Sequence, residues 1–131
     1  MARKILIDTN FYSAFKSSDP EAIQIIQEAE LIGVNVVVLG ELLGGFRAGS
    51  KEKINRRELD IFLDSPRVEL LSVDDGTAEY YAQVFRNLKR RGTPIPSNDM
   101  WIAASAIQHG LWLATNDDHF RSVEGLLLLI A

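Results

Sequence analysis

Five short apolar runs punctuate the chain: KILID (4–8), NVVVLG (35–40), VELLSV (68–73), LWLAT (111–115) and LLLLI (126–130). None of them alternates apolar with polar residues. A strand with one wet face alternates with period two, whereas a strand covered on both faces reads as a continuous apolar run. The pattern therefore predicts five strands in a buried, mostly parallel sheet. Parallel neighbours need crossovers of a dozen or more residues, and the segments between the runs supply them.

Those segments carry helical signals. SSDPEAIQIIQEAE offers Ser18 or Asp19 as N-cap, Pro20 at the first helical position and Glu21 in the first turn. TAEYYAQVFRNLKRRG places Ala78, Tyr81, Phe85 and Leu88 on one face, then ends with Lys89, Arg90 and Arg91 before Gly92. NDMWIAASAIQH predicts a further helix whose Ala103, Ala104 and Ala106 permit close packing on a sheet. Residues 44–60 form the most polar stretch and hold no strand signal. Strands alternating with helices specify an α/β fold, and no repeat or boundary divides residues 1–131 into more than one domain.

The bulk properties exclude several chemistries. There is no cysteine, so neither disulfides, thiolate metal sites nor a cysteine nucleophile is available. The opening MARKILID lacks the apolar core of a signal peptide, and LLLLI is far shorter than the roughly 20 residues of a membrane helix. A cytoplasmic protein without a membrane segment is expected. A net charge of −4 disfavours a nonspecific nucleic-acid coat protein. It leaves room for an enzyme that spends acids on a cation: with four of its 18 acids so engaged, the rest would balance the 14 lysines and arginines.

Four acids stand where an α/β fold builds sites, beyond the carboxyl ends of its strands. Asp8 ends the first run, Glu41 follows the second, and Asp117 lies two residues past the fourth. Asp99 opens the alanine-rich helix and would join them if that helix N-terminus reached the same edge. Taken singly, Asp8 could be a turn residue in DTN, Glu41 an exposed first-turn acid, and Asp99 a cap or first-turn acid favoured by the helix dipole. Taken together, three acids following strands that point the same way call for another reason. Clustered carboxylates repel and are costly to bury unpaired. A hard divalent cation resolves that conflict, and an all-oxygen donor set suits Mg²⁺ or Mn²⁺ better than zinc. Such a site activates water and neutralises phosphoryl charge, which makes phosphodiester hydrolysis the leading chemistry.

The segments LIDTN, GELLGG, PIPSNDMWIAASA and LATNDDHF…VEGL, in this order and spacing, resemble the PIN-domain ribonucleases, and more narrowly the VapC-type toxins of toxin–antitoxin pairs. The resemblance runs from about residue 4 to residue 130. It implies a PIN-like three-layer sandwich, a central five-stranded sheet flanked by helices. It also implies an acidic quartet binding one or two Mg²⁺ or Mn²⁺ ions, carried here by Asp8, Glu41, Asp99 and Asp117. The fourth acid is matched through the T-x-D pattern Thr115-Asn116-Asp117, with Asp118 in reserve as the fourth acid and otherwise expected to cap the turn that follows. In this reading a metal-activated water attacks an RNA phosphodiester in line, leaving a 5′-phosphate and a 3′-hydroxyl. Asp8 and Asp99 are the principal ligands, Glu41 holds or deprotonates the water, and Asp117 completes the site. Thr9, Asn10, Ser97, Asn98, Thr115 and Asn116 are expected to support the ligands or phosphate. The implied partners are an RNA substrate, a VapB-like antitoxin covering the site, and a second copy of the chain in a homodimer. Phe11, Tyr12, Phe46 and Trp101 are candidates either for that contact or for the core.

Other residues admit plainer readings. Arg47, Lys51, Lys53, Arg56 and Arg57 form either an RNA-phosphate surface or a solvated helical face, with Arg47 and Lys51 the candidate RNA contacts. His109 suits a helix end beside Gly110, and His119, next to Phe120, is expected to pack or cap locally, so a two-histidine mechanism is disfavoured. SVDDGTAEYY (72–81) imitates the D-x-D-G-T signature of haloacid dehalogenase phosphatases, but Val73 occupies the nucleophile's position. A receiver module would want paired acids after the first strand and a late lysine, and no lysine follows Lys89. Two further alternatives are a PIN-domain processing nuclease without an antitoxin and a non-enzymatic interaction module.

Overall fold

The computed structural model describes residues 2–130. Five strands, β1 (Lys4–Ile7), β2 (Leu31–Asn35), β3 (Val68–Leu71), β4 (Trp112–Thr115) and β5 (Leu128–Ile130), form one sheet in the order β3-β2-β1-β4-β5. All four neighbouring pairs are parallel, for example Leu6 beside Gly33 and Leu113. Among the described residues six helices connect them: α1 (Thr9–Lys16), α2 (Pro20–Glu28), α3 (Val36–Ala48), α4 (Glu52–Leu63), α5 (Asp75–Arg91) and α6 (Ser97–His109). A 3₁₀ turn at Asp118–Ser122 precedes β5.

This order decides where a site can lie. The chain steps from β1 outward to β2 and β3, then crosses back to β4 on the other side of β1. Right-handed crossovers therefore put α1–α4 on one face and α5–α6 on the other. The direction reverses between β1 and β4, and a crevice opens beyond their carboxyl ends. Ile5, Leu6 and Ile7 of β1 and Leu113 and Ala114 of β4 are at most 1% exposed, so that edge rests on the best-buried part of the core.

One expected strand is not where the apolar pattern put it. Residues 36–40 are the start of α3, and the strand is Leu31–Asn35. Valine's β-preference is weak where tertiary packing decides. Asn35 ends β2, and its side-chain oxygen accepts the Val38 amide at 2.9 Å, a helix N-cap that turns the chain out of the sheet. Gly33 hides the true strand from a pattern search. A Cβ there would lie 3.1–3.3 Å from side-chain atoms of Leu71, Leu111 and Leu6, so the glycine is what lets the strand pack closely.

Asn35 is fully buried, with its side-chain nitrogen unpartnered. Asn35→Ala is expected to destabilise the fold by roughly 1–2 kcal/mol, the size of a lost cap. A urea-unfolding midpoint equal to that of the parent would show that the cap does not set the start of α3.

Candidate active site

Four segments deliver the acids. Asp8 follows β1 and caps α1, its Oδ1 accepting the Phe11 amide at 2.8 Å. Its Oδ2 accepts the hydroxyl of Thr115, the last residue of β4, which ties together the two strands where the topology reverses. Thr115 Oγ1 also accepts the Asp117 amide at 3.0 Å, folding Asp117 back toward the same edge. Thr115 is completely buried and Asp8 is 4% exposed, so Thr115 works as a strut beneath the site.

Glu41 arrives by a different route from the one its strand-end position suggested. It stands in the second turn of α3, and the Asn35 cap sets the helical phase that aims it inward. Thr9 donates its hydroxyl to Glu41 Oε1 at 2.6 Å, and Asn98 donates its amide to Oε2 at 3.4 Å. Asp99 lies in the first turn of α6, where helix N–H groups favour an anion. Pro96 occupies the cap position there and contributes no side-chain hydrogen bond.

Asp8, Glu41, Asp99 and Asp117 line one cavity of about 380 Å³, together with Thr9, Asn10, Pro96, Ser97, Asn98 and Ile102. Asn116 is exposed and does not line it. Arg47 is exposed and pairs with Glu52 at 3.4 Å, Lys51 holds the cap position before α4, and neither lines the cavity. Phe11 and Tyr12 are core residues, 0% and 3% exposed, which removes them as partner contacts. Phe46 and Trp101 remain partly exposed, Trp101 stacked on Tyr81 at 4.1 Å.

The Asp117-Asp118 turn is built differently from expectation. Asp117, not Asp118, caps the 3₁₀ turn, its Oδ1 accepting the His119 amide at 3.1 Å. Asp118 points into solvent with 81% of its side chain exposed, 3.2 Å from Arg121. A carboxylate one residue later in a tight turn faces the other way, which is why adjacent acids have such different surroundings.

His119 packs against Phe120, with 4.8 Å between ring centres, as its sequence position suggests, and also makes a contact that the sequence does not signal. Phe120 anchors the loop in the core at 1% exposure. The imidazole lies between two acids, with Nε2 2.7 Å from Asp99 Oδ2 and Nδ1 2.7 Å from Asp117 Oδ1. Its place two residues after Asp117 signals nearness to that acid. Nothing local signals nearness to Asp99, 20 residues earlier.

The electrostatics are those of a site short of positive charge. Burial pushes the Asp8 carboxyl up, against the lowering effect of its Thr115 and Phe11 hydrogen bonds, with Asp99 and Asp117 adding like-charge repulsion. Burial also raises Asp99; His119 opposes the shift, and Glu41 and Asp117 add to it. Converging oxygen donors with unfavourable like charge fit a hard divalent cation. Ligand oxygens of Asp99 and Asp117 lie within 4.8 Å of one another, a spacing that one ion can span.

Comparison with known proteins agrees with this architecture. The family model described as PIN domain matches residues 5–126. Ribonuclease VapC4 of Mycobacterium tuberculosis is 30% identical over 123 residues, 92% of each chain. Ribonuclease VapC2 of Rickettsia felis is 28% identical over 128 residues, 94% of each chain. Among solved structures, VapBC2 from Rickettsia felis, bound to a DNA fragment from its promoter, superposes with a TM-score of 0.87 at 26% identity, covering 97% of this chain and 98% of that one. Since these matches run almost end to end in both partners, the chain belongs to the PIN-domain family, alongside the VapC ribonucleases.

Proposed function

We propose that the protein is a Mg²⁺- or Mn²⁺-dependent endoribonuclease and the toxin of a toxin–antitoxin pair. The observation that carries this reading is the convergence of Asp8, Glu41, Asp99 and Asp117, from four separate segments, on one cavity beyond the sheet's carboxyl edge. The relatives named as VapC ribonucleases support RNA as substrate, and the VapBC complex supports an antitoxin as partner. No helix among the described residues is long and apolar enough to cross a membrane.

Asp8, Asp99, Glu41 and Asp117 would hold the ion. When bound, it supplies Lewis acidity to a phosphoryl oxygen and to water. The protein's own groups then divide the work. Asp8 is fixed at both oxygens, by Phe11 N and the Thr115 hydroxyl, and so presents a rigid carboxylate. Glu41 Oε1 is engaged by Thr9, whereas Oε2 has only the long Asn98 contact, so Oε2 is the atom free to take a proton from the attacking water. Asn10 and Ser97 line the cavity as neutral donors for phosphate oxygens, which do not add to the charge already there. Attack by water would leave a 5′-phosphate and a 3′-hydroxyl.

The test maps RNA 5′ ends after induction of the parent and of Asp8→Asn side by side, alongside purified-protein assays with Mg²⁺, Mn²⁺ or EDTA. New 5′-phosphate ends are expected only with the parent, and EDTA should stop cleavage in vitro. Identical maps, or cleavage indifferent to EDTA, would overturn the proposal.

A further inference from the structure

We infer that His119 is a positioning residue for the cation site: it holds the Asp99 and Asp117 carboxylates in the orientation that binds the ion. The inference rests on the acidic cavity being that site.

Three observations support it. The ring contacts one oxygen of each carboxylate, Asp99 Oδ2 and Asp117 Oδ1, both at 2.7 Å. Each acid thereby keeps its second oxygen uncommitted to His119, and both acids line the cavity that His119 itself does not line. The ring is also firmly seated. Its backbone amide donates to Asp117 Oδ1, its ring centre lies 4.8 Å from that of the buried Phe120, and its side chain is only 33% exposed.

The two acids come from elements with no covalent reason to agree in orientation, the first turn of α6 and the loop after β4. Left alone they would repel and turn apart. One rigid ring spanning both removes rotamer freedom that ion binding would otherwise have to remove. Partners behind metal ligands typically change metal affinity or activity by about 10- to 100-fold.

Conservative variants separate the two contacts. The amide nitrogen of His119→Asn falls near the place of Nδ1 and keeps the Asp117 contact, whereas that of His119→Gln falls near Nε2 and keeps the Asp99 contact. His119→Ala keeps neither. Mn²⁺ binding to each purified protein is measured by calorimetry, with thermal unfolding in EDTA as the check on folding and with kcat and KM for RNA determined separately. His119→Ala should bind Mn²⁺ about 10- to 100-fold more weakly, with the loss carried in kcat at subsaturating metal and recovered by excess Mn²⁺. Asn and Gln should each restore part of the affinity.

Parental affinity in a folded His119→Ala protein would overturn the inference. So would tighter binding, which would mean that the ring competes with the ion for the carboxylates. Asp99→Asn in the same titration separates this failure from failure of the site itself. If Asp99→Asn loses Mn²⁺ while His119→Ala does not, only the role of His119 falls. If neither loses it, the ion binds elsewhere and both readings fall.

Discussion

Asp8→Asn is expected to lower RNA cleavage by about 10²- to 10³-fold, the scale set by losing several kcal/mol of transition-state charge stabilisation at a metal site, while the protein stays folded. The substitution is nearly isosteric. The amide oxygen still accepts from the Phe11 amide, and the amide nitrogen faces a Thr115 hydroxyl whose lone pairs accept it together with the Asp117 amide. What disappears is a buried negative charge in a cluster of four acids.

That loss has a signature in stability with a definite sign. Burial raises the folded-state pKa of Asp8 above its ordinary 3.8. A carboxyl shifted this way costs stability wherever it is charged in the fold. The cost is full above the raised pKa, declines as pH falls through it, and vanishes below 3.8, where folded and unfolded forms are both protonated. In EDTA, the melting temperature of Asp8→Asn relative to the parent should therefore be highest near neutral pH and fall as pH approaches 3.8. Divalent cation should reverse the ranking. An ion at 100 times its Kd stabilises the parent by about 2.7 kcal/mol, and the variant should gain far less. A variant that cleaves RNA at the parental rate, or a Tm difference that does not change with pH, would show that Asp8 is not a buried ligand.

How far the site could be read from the sequence depends on what each element's signal is made of. β1, β4, α5 and α6 are legible because apolar runs, caps and stops coincide: the Asp74–Thr77 capping box begins α5, and Gly110, at φ 65°, ends α6. The β2–α3 junction is not, because three valines and a glycine carry the wrong local preference and a buried asparagine decides the boundary. The apolar pattern places Glu41 after a strand that in fact ends at Asn35, yet α3 carries it to the same cavity, since the Asn35 cap at the sheet edge fixes its helical phase. The short helix α1 was hidden for a similar reason. DTN reads as a turn, whereas Asp8 is the cap of Thr9–Lys16. The contact of His119 with Asp99 is not legible, because it joins α6 to a loop through a pairing that no periodicity encodes.

The adjacent aspartates give the sharpest contrast. Asp117→Asn should weaken Mn²⁺ binding and cleavage by at least about tenfold, the usual lower bound for damage to a metal site's immediate surroundings. The amide can still cap the 3₁₀ turn by accepting the His119 amide, so the loop should keep its shape and the loss should report charge, not folding. Asp118→Asn removes only an exposed pair with Arg121, worth about 0–1 kcal/mol, and should leave affinity, cleavage and Tm close to parental. Both variants belong in one calorimetric and kinetic series, because the comparison cancels any general effect of changing charge in this loop. An inactive Asp118 variant beside an active Asp117 variant would reverse the assignment. It would require the turn to rotate on binding the ion, so that Asp118 left Arg121 for the cavity and Asp117 remained only the cap.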